Sequence, residues 1–299
     1  MSGSPPAPVF DLAPLRLSPP AEAVERARRA ASGSPTFTGS LRRRVVVAAA
    51  ASAATVLLVL AVTEAVVAGS GGGATALFVV LGVGLLLAVL VAVAVLVVVP
   101  RVAATVRFRH HARWSEVAAA SGATADLVAV PEDVPALLRA DGGPLGLPPW
   151  RTSVKHRDVL QKTHGGRTVR MGTRVVRGRS GPHGVRSQTI VWAAVAVPPS
   201  LPAAYLHVGP RAEVVEGYER IVSRDATHTL YAAHDRGVSH VITDAVVAAC
   251  ALDRPRVSAR LSGGWLVLAA SGGDGAGHAY RVVEALEAAL DALGPVDVR

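Results

Sequence analysis

Between Val45 and Val99 the chain carries one ionisable side chain, Glu64, and no other feature limits its possible folds so sharply. Two apolar tracts fill this window, 45–68 with 24 residues and 74–99 with 26, joined by the glycine-rich "GSGGG" at 69–73. A helix rises about 1.5 Å per residue and needs about 20 apolar residues to cross ~30 Å of hydrocarbon, so each tract is long enough. Neither has the polar face that a water-facing helix requires. The expectation is a membrane protein built on a two-helix transmembrane hairpin. A cleaved signal peptide fits worse, because 44 residues precede the first tract and the second comes directly after it.

Arginine asymmetry sets the expected orientation. Arg42, Arg43 and Arg44 abut the first tract, Arg101, Arg107, Arg109 and Arg113 come after the second, and the 69–73 loop is uncharged. By the positive-inside rule both termini are cytoplasmic, which gives a multi-pass protein of the cell membrane. Glu64 reads as an acid reaching the headgroups from the last turn, since the second tract offers it no ionisable partner. Gly82 and Gly84 permit close helix contact and leave homo-oligomers open.

Three further regions are expected around this hairpin. Residues 1–44, with seven prolines, form a disordered tail, apart from a short helix in "SPPAEAVERARRAASG" capped by Ser18. Residues 100–122 are a helix leaving the membrane and stopping near Gly122. Residues 123–299 are a cytoplasmic α+β domain of antiparallel hairpins covered by helices. Within it "RTVRMGTRVVRG" and "SQTIVWAAVAVP" read as a hairpin pair, and "AAYLHV" as a further strand. In "RVSARL", Arg256, Ser258 and Arg260 alternate with Val257, Ala259 and Leu261, a half-buried strand that "SGG" turns into "WLVLAA". Val283, Leu286, Leu290 and Leu293 mark one face of a closing helix, and another helix covers Thr243–Leu252.

Few residues invite chemistry. Cys250 is the only cysteine, so neither an intramolecular disulfide nor a Cys-based zinc site can be built, and it reads as a small core residue. His234 and His240 are six apart and do not share a helical face, so no metal site is expected. "SGGDGAGH" matches neither GxGxxG nor GxxxxGK[ST], and Ser180 in "GRSGPHG" lacks the GxSxG pattern of a nucleophile elbow. No cofactor and no catalytic set is expected.

Charge is the remaining anomaly. The chain holds 29 Arg and 2 Lys, with a formal net charge of +9. Residues 151–186 contain Arg151, Lys155, Arg157, Lys162, Arg167, Arg170, Arg174, Arg177, Arg179 and Arg186 against Asp158 alone. Two readings stand: a solvated hairpin face in an arginine-rich proteome, or a surface that meets the anionic headgroups of the bilayer. For the second, Arg151, Lys155, Arg167, Arg170, Arg174, Arg177 and Arg179 are the candidate contacts. Arg170 and Arg174, four apart, share a strand face and are expected to be exposed. Nucleic acid is not expected as a partner, because no aromatic residues interleave with these arginines.

The segments "RWSEVAAASGAT", "RDVLQKTHGGRTVRMGTRVV", "QTIVWAAVAVPPSLPAAYLHVGP" and "VSARLSGGWLVLAASG" together resemble a family of uncharacterised two-span membrane proteins of high-GC actinobacteria. Members carry a tryptophan after the glycine of the first segment, where this chain has Ala123. The resemblance implies architecture only, with no activity or site residues to carry over. The functional expectation is a membrane-anchored cytoplasmic scaffold or regulatory protein without catalysis of its own. The alternative is a membrane-associated enzyme, which a deep pocket lined by convergent polar groups would favour.

Overall fold

The computed structural model describes residues 8–32, 99–126, 151–179, 185–208, 219–225, 228–232, 237–251, 255–272 and 275–295, with isolated positions at 54, 61, 62, 64 and 82. The chain divides into two compact units, Met1–Ser18 with Arg113–Arg299, and Pro19–Ala112.

The larger unit is organised by one antiparallel nine-stranded sheet. Its strands are β1 (Thr124–Asp126), β2 (Arg151–His164), β3 (Arg167–Arg179), β4 (Val185–Ala196), β5 (Ala204–Val208), β6 (Glu219–Asp225), β7 (His228–Ala232), β8 (Val257–Ser262) and β9 (Trp265–Ser271), in the spatial order β1-β2-β3-β4-β9-β8-β5-β7-β6. Two hairpins turn on glycine pairs. Gly165 and Gly166 link β2 to β3, and Gly263 and Gly264 link β8 to β9, all four at positive φ. Two successive positive-φ residues make the type I′ turn, whose twist matches that of the strands it joins.

Helices α3 (Val238–Val241), α4 (Asp244–Ala251) and α5 (Ala276–Leu293) belong to the same unit. Alternate residues of the central strands, among them Met171, Val191, Ala193, Leu266 and Leu268, join Val282, Leu286 and Ala289 of α5 in the main core. The intervening residues, Val176, Ile190, Trp192, Trp265 and Val267, form a second buried cluster with Val159. Strands β3, β4 and β9 are therefore buried on both faces. Tyr205 and Tyr231, directly opposed on β5 and β7, stack with ring centroids 4.8 Å apart.

The expected membrane architecture is corrected by this fold. Among the described residues no helix is long and apolar enough to cross a membrane, and the described fold is the antiparallel sheet with its helices. The tracts 45–68 and 74–99 lie outside the described residues, except for single helical positions at 54, 61, 62, 64, 82 and 99. Integral insertion, multi-pass location and the inward orientation of both termini are therefore not carried forward.

Other expectations meet the structure directly. Helix α1 (Ala21–Ser32) occupies the stretch where a short helix is expected. Helix α2 (Val99–Ser121) stops where the glycine signal places its end. There Gly122 has φ +61, and its amide and that of Ala123 return to the carbonyls of Ala119 and Ala118, closing a Schellman-type cap. The expected helix after Pro131 lies outside the described residues. The disordered tail needs correction, because residues 8–32 are ordered and Val9, Phe10, Leu12 and Leu15 are buried in the main core.

Strand β2 carries a bulge. Its register with β3 jumps between Arg157 and Leu160, so Asp158 and Val159 together oppose Gly172. Asp158 takes φ +54, a left-handed conformation that aspartate tolerates better than most residues. Across the sheet Trp192 of β4 pairs with Gly172. A Cβ at Gly172 would sit 3.1 Å from Cζ2 of Trp192 and 3.3 Å from the Arg157 carbonyl oxygen. Trp192 is fully buried and the carbonyl belongs to the bulge, so neither can yield cheaply. Gly172→Ala is expected to destabilise the larger unit by about 1–3 kcal/mol through overpacking, measured by denaturant unfolding. An unchanged midpoint would show that the ring moves freely.

Candidate functional site

The basic stretch on β2 and β3 is the first candidate, and the structure disperses it. Arg170 and Arg174, expected to be exposed, are 9% and 2% exposed. The reason is the two-sided burial of β3, where residues 170, 172, 174 and 176 face the layer that holds Trp192 and Trp265. The Arg170 guanidinium carbon lies 4.6 Å from the Trp265 ring centroid, and Nε donates to Oε1 of Gln161 at 3.0 Å. A guanidinium over an indole face is a favourable cation–π arrangement. These two arginines are structural members of the sheet.

Arg167 has a different task. It comes directly after the β2–β3 turn, and its Nη2 and Nε donate to the carbonyls of Leu293 (3.1 Å) and Gly294 (3.3 Å). These are terminal carbonyls of α5, which lack helical partners and carry the negative end of the helix dipole. Lys162 likewise serves the fold. Its Nζ donates to the carbonyls of Val9 (2.6 Å) and Ser121 (3.0 Å), and burial pushes its pKa below the usual lysine value. Arg177 is half-buried. Arg151, Lys155 and Arg179 lie on described strands, but their side chains are outside the described set.

Similar duties fall to Arg281 on α5, which donates to the Ala249 carbonyl of α4 at 2.8 Å and pairs with Glu284. Nothing local in the sequence announces the carbonyl that Arg281 meets.

The second unit shows a clearer concentration of exposed charge. Ala23 and Ala27 of α1 and Ala112 of α2 form a small buried cluster, with Val24 packed against it. Small side chains let two helices approach closely. Around that contact, residues 21–32 and 99–112 carry six arginines against two glutamates. Arg28 and Arg29 of α1 and Arg109 of α2 are exposed. Val106, one turn before Arg109, is 61% exposed, so an apolar and a basic side chain share one helical face.

Cys250 is buried in α4, and burial pushes its thiol up to about 12, with the positive charge of Arg281 acting in the opposite direction. The thiol should therefore stay unreactive at pH 8 in the folded chain and react with a thiol reagent only at the rate of unfolding. In the unfolded chain it ionises near its ordinary value of 9.0. Both states hold the proton below that pH, and only the folded state holds it between 9 and 12. Stability from this group is therefore lost as pH rises through that window. Rapid labelling of the native protein at pH 8 would contradict the burial.

An open cleft of about 270 Å³ lies at the β2–β3 turn, lined by His164, Arg167, Leu290 and Asp291 among others. Its arginine is already engaged with the end of α5. Among the described residues no group of three His, Cys, Asp or Glu side chains is placed to hold a metal ion. Of the histidine cluster around 234–244, His234 and Asp235 lie outside the described residues, and His240 is exposed.

Neither a protein-family model nor a curated protein matches the chain. Among solved structures it is similar to the mycobacterial trehalose monomycolate transport factor A, with 14% identity and a TM-score of 0.39, over 63% of this chain and 96% of that one. A likeness of that degree does not transfer the transport role to this chain.

Proposed function

We propose that the chain is an accessory or scaffold protein that contacts an anionic surface through the helical unit of α1 and α2. The observation that supports this reading is the exposed set of Arg28, Arg29 and Arg109, with the exposed Val106 one turn from Arg109. Basic side chains attract anionic headgroups, and a neighbouring apolar side chain adds contact once the surface is reached. Much of the charge on β2 and β3 is committed to the fold, which leaves the helical arginines as the better candidates.

The full chain should sediment with vesicles that contain an anionic phospholipid and not with purely zwitterionic ones, and binding should fall as salt rises. Electrostatic attraction to a surface fades over a Debye length of about 8–10 Å near physiological ionic strength. Equal binding to both vesicle types would overturn the proposal. Neutral substitutions of Arg151, Lys155 and Arg179 in the same assay measure what the sheet hairpin adds.

A further inference from the structure

Residues 8–17 contribute no strand to the sheet and form only one short 3₁₀ turn, Ala13–Arg16, yet they are bound closely to the larger unit. Their backbone is held by side chains from three separate elements. The Val9 amide donates to Oε1 of Glu287 on α5 at 3.0 Å, and the Val9 carbonyl accepts from Nζ of Lys162 on β2 at 2.6 Å. The Asp11 amide donates to Oγ of Ser121 at 2.9 Å, and the Leu17 carbonyl accepts from Nε of Arg113 at 3.1 Å, both from α2.

Between these polar ties the apolar side chains are buried. Phe10 is 1% exposed, and Val9, Leu12 and Leu15 enter the same cluster as Trp114, Val117, Leu160 and Leu286. Nζ of Lys162 also lies 5.7 Å from the Phe10 ring centroid, and Arg16 covers the Tyr280 ring at 4.2 Å. Asp11 stays local, its Oδ1 accepting from the Ala13 amide at 3.0 Å to start the 3₁₀ turn.

Backbone groups gripped by fixed side chains, with apolar anchors in between, are the arrangement by which domains bind extended peptides. We propose that residues 8–17 are a tethered peptide ligand. The groove they fill, between the end of α2, β2 and α5, is a docking site for extended peptides of the order apolar–aromatic–acidic–apolar. This inference is independent of the anionic-surface reading. In the intact chain the tether holds the segment at high effective concentration, so a competing peptide must displace it.

The test begins with the full chain carrying a protease site between Ser18 and Pro19, cut after folding. A fluorescent synthetic peptide of residues 7–18 should then exchange into the cut protein, and the same peptide with Phe10→Ala should bind at least tenfold more weakly. The uncut chain should take up the peptide more weakly than the cut chain. A companion measurement uses Phe10→Ala in the intact, uncut chain. Hydrogen exchange should speed up at the amides of Val9, Asp11, Leu15 and Leu17, while those of β4 and β9 remain protected. A cut protein that unfolds, or that keeps its fragment and never admits the peptide, would overturn the proposal. So would equal loss of protection in the segment and the strands, because the segment would then be an inseparable part of the core.

Discussion

Arg174→Ala is expected to lower the unfolding free energy of the larger unit by about 2–4 kcal/mol. Arg174 is 2% exposed and lies on β3 opposite Ile190, in the layer that includes Trp192 and Val176. Truncating a large side chain in a closed layer removes its packing and leaves a cavity, which costs about 2–5 kcal/mol for residues of similar size. Arg174 also makes a polar, ring or electrostatic contact that the truncation would remove. An exposed arginine behaves otherwise, since surface substitutions usually stay within about 0.5 kcal/mol. Denaturant unfolding decides between the two. A lower midpoint with an unchanged m-value supports burial, and a loss below about 0.5 kcal/mol would return Arg174 to the surface.

The second large effect concerns binding. Replacing Arg28, Arg29 and Arg109 together with Gln should weaken attachment to anionic vesicles by about 100-fold. Each basic residue near an anionic surface is worth about 1 kcal/mol, so three are worth about 3 kcal/mol, and each 1.4 kcal/mol is a factor of ten. All three are exposed, Arg28 approaches Glu25 of its own helix at 3.7 Å, and Arg29 has a contact of its own. The fold should therefore tolerate the change, and a thermal melt of the triple variant should match that of the parent. Unchanged vesicle binding with an intact fold would move the contact away from these helices.

Local periodicity made several elements legible. The alternation in "RVSARL" corresponds to β8, with Val257, Ala259 and Leu261 buried and Ser258 and Arg260 half-buried. The adjoining glycine pair turns it into β9, and the 3.6-residue spacing of Val283, Leu286 and Leu290 marks the buried side of α5. Strands β6 and β7 were not legible. "ERIVSRD" carries four charges and its pairing with β7 shifts register twice, while "HTLYA" is short and takes its second partner from β5, with β6 intervening in sequence.

What the sequence determined by itself is what depends on neighbours within about one turn or one hairpin: the helix stop at Gly122, the turn at Gly263 and Gly264, and the inward faces of β8 and α5. Partners decide the rest. In β3 the alternation of arginine with valine and methionine is the pattern of a strand wet on one side, and only the second buried layer makes Arg170 and Arg174 interior. Prolines in residues 1–44 raise the expectation of a disordered tail with no core of its own, which the order of residues 8–32 corrects. The apolar cluster of Val9, Phe10, Leu12 and Leu15 was the one hint that it could borrow another. The apolar length of 45–68 and 74–99 raises the expectation of membrane spans, and no described helix fulfils it. Hydropathy states that a side chain leaves water. Which surface receives it is settled by contacts between residues far apart in sequence, and those exist only in the folded chain.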